Sequence, residues 1–382
     1  MTGAAIVLFA LAALGLFVLA VEGLSLRRHL RTRVARPRGE PGLSVLKPLC
    51  GLDDDLEGNL ASFAALDWPR YEVLLGLSSE HDPAAPLALA AARRWPDRFR
   101  VVLERGPLGM NPKVSQLATL AEEARYEILV ISDSNVRVVP GYLSEIAARL
   151  EDPEVGLVTH LIAGVGERHL GALLENLHLA GGIAPAIVAA KRIAGRDVVM
   201  GKSMALRRAD LSALGGLDPV KDVLAEDYVL GLLVPRILGK RVEIASLPIE
   251  NVNRERTLSK FAARCRRWSV LQRHLVGLGP YGAQSILNPV FWATLGLLAA
   301  PSPLAAAAWA ATATGRALLD AAAGRALRPP GFRGLELAAV PLKDLVLGLS
   351  WLEGFLRNTV NWRGRRLRVL PGTRLARPEP GP

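Results

Sequence analysis

Cysteine is scarce in this chain of 382 residues, which has only Cys50 and Cys265. The two lie far apart and match no metal-ligand spacing, which argues against a disulfide framework and fits a reducing compartment. Also missing are a Gly-x-x-x-x-Gly-Lys-Ser/Thr loop, a Gly-x-Ser-x-Gly elbow and a His-Glu-x-x-His pair. Their absence weighs against phosphate-loop nucleotide hydrolysis, α/β-hydrolase chemistry and zinc proteolysis. No internal repeat is visible, and no acidic residue stands between Arg27 and Arg38. What the chain does have is apolar residues, half of its length, and a net charge of +11. That charge calls for an anionic partner: nucleic acid, anionic lipid or a phosphorylated substrate. The arginines cluster beside hydrophobic segments, which argues against nucleic acid.

Residues 3–21, "GAAIVLFALAALGLFVLAV", form an uncharged run of about the length that crosses a bilayer. The arginine-rich segment "LRRHLRTRVARPR" follows it. A signal peptide carries its positive charge before the apolar stretch and a cleavage site after it. Here the order is reversed, so the run reads as a retained anchor whose C-terminal flank faces the cytoplasm.

Beyond a short linker marked by Pro37, Gly39, Pro41 and Gly42, apolar runs alternate with amphipathic stretches as far as about residue 255. Residues 43–49, 71–78, 99–104, 126–134 and 155–162 read as strands. Residues 56–66, 86–95 and 114–124 have helical periodicity. This alternation predicts an α/β domain with a largely parallel sheet, whose ligands sit beyond the carboxyl ends of the strands. Segments 285–301 and 303–324 read as membrane helices around a Pro301/Pro303 break. A third apolar stretch, 336–356, is interrupted by Lys343, Asp344 and Glu353, and reads as re-entrant or interfacial. A soluble helical subdomain is the alternative for this region. The expected organisation is a transmembrane anchor (1–25), a basic linker (26–42), an α/β domain (43–255), an amphipathic interfacial helix (256–280), and a hydrophobic membrane region with a basic tail (281–382).

Three acids stand where chemistry is expected. Asp82 follows the strand 71–78, Asp133 closes "ILVIS" before Ser134 and Asn135, and Asp227 opens an apparent helix in "AEDY". Each alone is explained equally well as a turn, a cap or a first-turn helix charge. In "LSKFAARCRRWSVLQRHL", Phe261, Cys265 and Trp268 share roughly one helix face while arginines line another. That pattern suits a membrane-interface helix, and its arginine forks also suit a pyrophosphate. His178, in the stretch 174–192, is either an ordinary packing histidine or part of a segment closing over a lipid.

Taken in order, "SVLKPLCG", "NLASFAALDWPRYEVLLGLSSEHDPA", "NPKVSQL", "ISDSNVRVVPGYL", "GKSMALRR", "AEDY", "RCRRW" and the late "WRGRRLR" resemble the ceramide glucosyltransferases, a family-21 group related to the inverting family-2 glycosyltransferases. The resemblance runs over about residues 43 to 370. It implies a GT-A nucleotide-sugar (Rossmann-like) α/β domain with an N-terminal anchor and C-terminal membrane helices. It further implies a UDP-sugar-dependent hexosyltransferase that glycosylates a lipid hydroxyl at the bilayer, on the cytoplasmic face of what the Ala- and Arg-rich composition suggests is a bacterial inner membrane. Carried over residue by residue, Asp82 would hold the nucleotide, Asp133 a divalent Mg²⁺ or Mn²⁺ on the diphosphate, and Asp227 would act as general base. Arg264, Arg267 and Trp268 fall on the Arg-x-x-Arg-Trp motif, and Lys47 and Lys113 on nucleotide-contacting positions. The chain departs from an Asp-x-Asp metal motif at Asn135. A hopanoid or glycerolipid acceptor, and a non-catalytic nucleotide-sugar-binding protein, are the alternatives.

Overall fold

The computed structural model describes residues 2–34, 36–362 and 365–376. The chain divides into two compact units, one made of residues 31–162 and 196–252, the other of residues 1–30, 163–195 and 253–382.

The first unit is built on a seven-stranded sheet. Its strands are β1 (Leu43–Pro48), β2 (Tyr71–Leu77), β3 (Phe99–Leu103) and β4 (Ile128–Ser132), then, past the two-residue β5 (Val136–Arg137), β6 (Val155–Thr159). After β7 (Ile162–Val165), at the boundary of the units, come β8 (Ser203–Arg207) and β9 (Arg241–Ile244), and β10 (Ile249–Val252) pairs with β5 outside the main sheet. The spatial order is β3-β2-β1-β4-β8-β6-β9. β1, β2 and β4 are buried along their whole length, the near-continuous apolar runs expected of strands covered on both faces. Helices Leu56–Ala64, Ala85–Arg94 and Pro112–Glu123 alternate with them. Leu117 and Leu120 of the last pack on Leu46, Leu74, Leu129 and Met204.

The expected strands and helices are all present, and the sheet is largely parallel as expected, with a single antiparallel strand. β8 runs antiparallel to both β4 and β6, between them. Its register pairs Ser132 with Ser203, and Asp133 N donates to Lys202 O (3.2 Å) just past that pair. The GKSMALR segment therefore lies against the strand that carries Asp133.

In the second unit, the helix Gly3–Leu30 continues past the expected anchor end at residue 25 and takes Arg27 and Arg28 into its last turn. It packs on Ala184–Arg192, Pro289–Ala299 and Pro303–Leu327. Gly15 makes the close approach possible, because a Cβ there would lie 2.1 Å from Ile286 O. Residues 163–195, expected within the α/β domain, belong to this unit: two helices, Leu170–His178 and Ala184–Arg192, are joined by a π turn at Leu179–Ile183. The physical reason is apolarity, since Ala172, Leu174, Leu177, Ile187 and Val188 need a helical partner surface. Gly3–Leu30 and Leu170–Arg192 are the two stretches, among the described residues, long and apolar enough to cross a membrane.

Of the C-terminal segments, Pro289–Ala299 spans 11 residues, about 16 Å of helix. The helix Pro303–Leu327 carries Arg316 and Asp320. Those two join Lys343 and Asp344 of the helix Val340–Leu356 in a fully buried network: Arg316–Asp320 at 2.7 Å, Arg316–Asp344 at 3.4 Å, Lys343–Asp344 at 3.3 Å, and Lys343 on Asp320. The charges that interrupt the apolar stretch are thus neutralised in pairs. Thr359–Trp362, Arg365–Val369 and Leu375–Ala376 form an antiparallel sheet. Residues 363, 364 and 377–382 of the expected region with the basic tail, and with them part of the "WRGRRLR" motif, lie outside the described residues.

Candidate functional site

The site in the first unit grows from the C-terminal end of β4. Because Asp133 immediately follows the buried β4, its carboxylate is presented at the sheet edge rather than inside it. Three lysines converge there. Lys47, wholly buried at the end of β1, donates to the Asp133 backbone O (2.6 Å) and to Ser132 Oγ (3.3 Å), with its ammonium 4.1 Å from the Phe63 ring centre. Lys113 Nζ lies 2.9 Å from Asp133 Oδ1, and Lys202 Nζ 3.4 Å from Oδ2. Lys202 also donates to Asn135 Oδ1 at 2.7 Å.

Lys113 links Asp133 to the second acid. Its Nζ is 2.9 Å from Glu226 Oε1 and 3.1 Å from Gly201 O. Gly201 N in turn donates to Asp227 Oδ2, and Tyr228 N to Asp227 Oδ1 (2.8 Å). Gly201 admits that approach, since a Cβ there would meet Asp227 Oδ2 at 2.6 Å. Lys113 is aimed by Asn111, which caps the helix Pro112–Glu123 by accepting from Lys113 N (3.0 Å) and Val114 N (3.4 Å). The Asn111 amide donates to Val223 O (2.7 Å) and Glu226 Oε2 (3.3 Å). "NPK" and "AEDY", far apart in sequence, are thereby locked together.

These neighbours set the protonation states. Burial alone would push the Asp133 carboxyl up, but Lys113, Lys202 and Lys47 outweigh it and hold the group well below the usual carboxylate range. For Lys113, burial opposes the charge while Asp133, Glu226 and Asp227 reverse that effect and fix the ammonium. Burial lowers Lys47 to about 7, against the attraction of Asp133 and Asp53. Asp227 moves the other way: burial first, then repulsion from Glu226, raise it to about 6. Two carboxylates in the field of the same lysine thus differ in kind, one held ionised and the other able to exchange a proton near neutrality.

Asp82 makes different contacts. Its Oδ1 accepts from Gly51 N (2.9 Å) and Ala84 N (2.8 Å), tying the loop after β1 to the turn after β2. Arg264, Arg267 and Trp268 belong to the second unit, on the helix Leu258–Val276. Phe261 and Cys265 of this helix are buried with Leu174, so the face expected to meet an interface packs on protein there. Arg264 pairs with Glu175 and lies 5.9 Å from the Trp268 ring centre. No carboxylate pairs with Arg267 among the described residues; burial, then repulsion from Arg264 and Arg256, lower it to about 10. Lys202, Glu226, Asn111 and Gly201 were not singled out by sequence reasoning. The quoted motifs contain all four, and nothing in a motif says which member faces the ligand.

The donor set can accept a hard cation if phosphate complements it. Asp133 supplies one carboxylate and Asn135 one amide oxygen, and among the described residues no three His, Cys, Asp or Glu side chains are grouped to hold a metal. One carboxylate plus substrate phosphates is a common way of binding Mg²⁺.

The family described as glycosyl transferase family 21 matches residues 7–375. Among similar proteins, ceramide glucosyltransferase 1 of Caenorhabditis elegans is 28% identical over 235 residues, 61% of this chain and 50% of that protein. A ceramide glucosyltransferase of Komagataella phaffii is 29% identical over 217 residues, 49% of this chain and 43% of that protein. The chain spans about half the length of the curated relatives it matches. The mannosyltransferase of Pyrobaculum calidifontis, solved with GDP-Man and Mn²⁺, superposes with a TM-score of 0.52 at 21% identity, covering 92% of this chain and 99% of that one. The fold is that of the GT-A glycosyltransferases.

Proposed function

Starting from the membership of this chain in glycosyl transferase family 21, we propose that it is a membrane-bound inverting hexosyltransferase. It would move a sugar, glucose in the first instance, from a UDP-sugar to the hydroxyl of a lipid acceptor, with ceramide the leading choice and a hopanoid or glycerolipid the second. The observation that carries the reading is Lys113, whose one ammonium pairs with both Asp133 and Glu226, while the neighbouring Asp227 is held by Gly201 N and Tyr228 N. Diphosphate and acceptor proton thereby have separate partners side by side.

In the proposed reaction the acceptor hydroxyl attacks the anomeric carbon from the face opposite the diphosphate. The new C–O bond forms as the bond from C1 to the phosphate oxygen breaks, its electron pair leaving on UDP, and the hydroxyl proton passes to Asp227. Single displacement gives a β-glycoside from an α-linked donor. Lys113 opposes the charge that develops on the diphosphate, and Lys47 is assigned to the nucleotide. Asp133, with Asn135, would hold Mg²⁺ or Mn²⁺, which when bound neutralises the same leaving group. Asp82 is assigned to the nucleotide. Arg264, Arg267 and Trp268 are assigned to the donor as well, Arg267 being the member not already neutralised by a carboxylate. The arginines after the apolar run of Gly3–Leu30 support a cytoplasmic catalytic unit, in a bacterial inner membrane on this reading.

The test is purified full-length protein incubated with UDP-sugars and with ceramide, hopanoid or diacylglycerol, with and without chelator. The expected result is one glycosylated lipid from the wild type. Asp227→Asn should lower turnover by roughly 10²–10⁴-fold, the usual contribution of a positioned base, while UDP still binds. Unchanged turnover in that variant removes Asp227 as the base, and an exclusive hopanoid product removes the sphingolipid acceptor.

A further inference from the structure

Where an Asp-x-Asp pair brackets a divalent cation, this chain brackets an ammonium. Lys202 Nζ stands between Asp133 Oδ2 and Asn135 Oδ1, at 3.4 and 2.7 Å. It is held there by the sheet: the antiparallel register of β4 and β8, extended by the Asp133 N to Lys202 O bond, sets the two residues opposite each other. The charge count is suggestive of replacement. Relative to an Asp-x-Asp pair with no lysine beside it, the amide of Asn135 removes one negative charge and Lys202 adds one positive charge. Together these equal the two charges that a divalent ion would bring. Lys202 also has the means to act on a ligand, since its side chain is 17% exposed on a flexible four-carbon stem that can turn onto a phosphate oxygen. Lys113, with 13% exposure, already holds Asp133 Oδ1, so Asp133 keeps a counter-ion when Lys202 turns away.

We propose that Lys202 takes the place of the divalent cation at the donor's diphosphate, so that this chain binds a nucleoside diphosphate without metal. The inference rests on the nucleotide-sugar reading above. It differs from that reading in making Mg²⁺ or Mn²⁺ dispensable for donor binding.

The experiment is calorimetric titration of UDP into the full-length protein in detergent, in excess EDTA and then in Mn²⁺, for wild type, Lys202→Met and the double variant Lys202→Met/Asn135→Asp. For the wild type the dissociation constant should change by less than about threefold between the two conditions. For Lys202→Met it should weaken in EDTA by about tenfold or more, the loss of a charge-assisted contact. The double variant, with its two carboxylates restored and its lysine removed, should bind UDP in Mn²⁺ and lose it in EDTA, which also verifies that the site is folded. Wild-type binding that collapses in EDTA overturns the proposal, as does Lys202→Met binding that matches wild type in EDTA. A double variant that stays indifferent to Mn²⁺ while retaining the wild-type melting temperature overturns the exchange of lysine for metal. Absence of UDP binding by wild type in both conditions overturns the nucleotide-sugar reading and the inference with it.

Discussion

At the scale of single residues, the environment of Asp227 decides its chemistry. A carboxylate raised to about 6 by burial and by Glu226 is an ionised base above that pH and a spent one below it. Turnover per encounter (kcat/KM) should therefore be flat above about pH 7 and fall by about tenfold per unit below pH 6. A pH–rate profile of transfer checks this, and a profile flat down to pH 4 would remove the titration of Asp227 from the reaction. Gly201 is the second residue with a sharp consequence. Its hydrogen bond to Asp227 leaves no room for a Cβ at 2.6 Å from the acid's oxygen. Gly201→Ala should displace the carboxylate and cost about tenfold or more in kcat, since a misplacement of an ångström is enough. Near-normal melting of the same variant separates this from unfolding. From sequence alone, Asp133 and Asp227 were legible as acids at element ends, but Gly201 was one glycine among 36, because what it faces is 26 residues away.

At the scale of elements, the buried network of Arg316, Asp320, Lys343 and Asp344 joins the helices Pro303–Leu327 and Val340–Leu356. In apolar surroundings a paired charge is tolerable and an orphaned one is not. Lys343→Met leaves two carboxylates sharing Arg316, and should destabilise by about 3–5 kcal/mol, read as a lowered melting temperature in detergent. The double variant Lys343→Met/Asp320→Leu should recover part of that loss. Lys343 and Asp344 seemed to spoil an apolar helix in the sequence, since helical periodicity records where a charge sits on its own helix and not that another helix brings its counter-ion. The helix Pro112–Glu123 behaves in the same way in the first unit. Its periodicity marked the helix, while its docking on "AEDY" through Asn111 depends on a contact across 112 residues.

At the scale of the whole molecule, the apolar helix Gly3–Leu30 spans 28 residues, about 42 Å of helix, ample for a hydrocarbon core. The protein should sediment with membranes and resist extraction by high salt or alkaline carbonate, yielding only to detergent. Release by 1 M salt would instead mean that the net charge of +11 alone holds it to anionic lipid.

The sequence by itself determined the local matters: which runs are strands, which are helices, where the N-terminal apolar helix lies, and which acids end a strand or open a helix. Each follows from side-chain period and from composition over a few residues, which neighbours in the chain suffice to express. The tertiary structure alone decided that β8 inserts antiparallel between β4 and β6, that residues 163–195 join the unit of the N-terminal helix, and that Lys202 comes to lie between Asp133 and Asn135. Those outcomes depend on pairing across tens of residues, where a register, once chosen by burial on both sheet faces, fixes which side chains meet. Asn135 in the sequence looked like a gap in a metal motif. In the fold, the gap is filled by an ammonium carried in from 67 residues away.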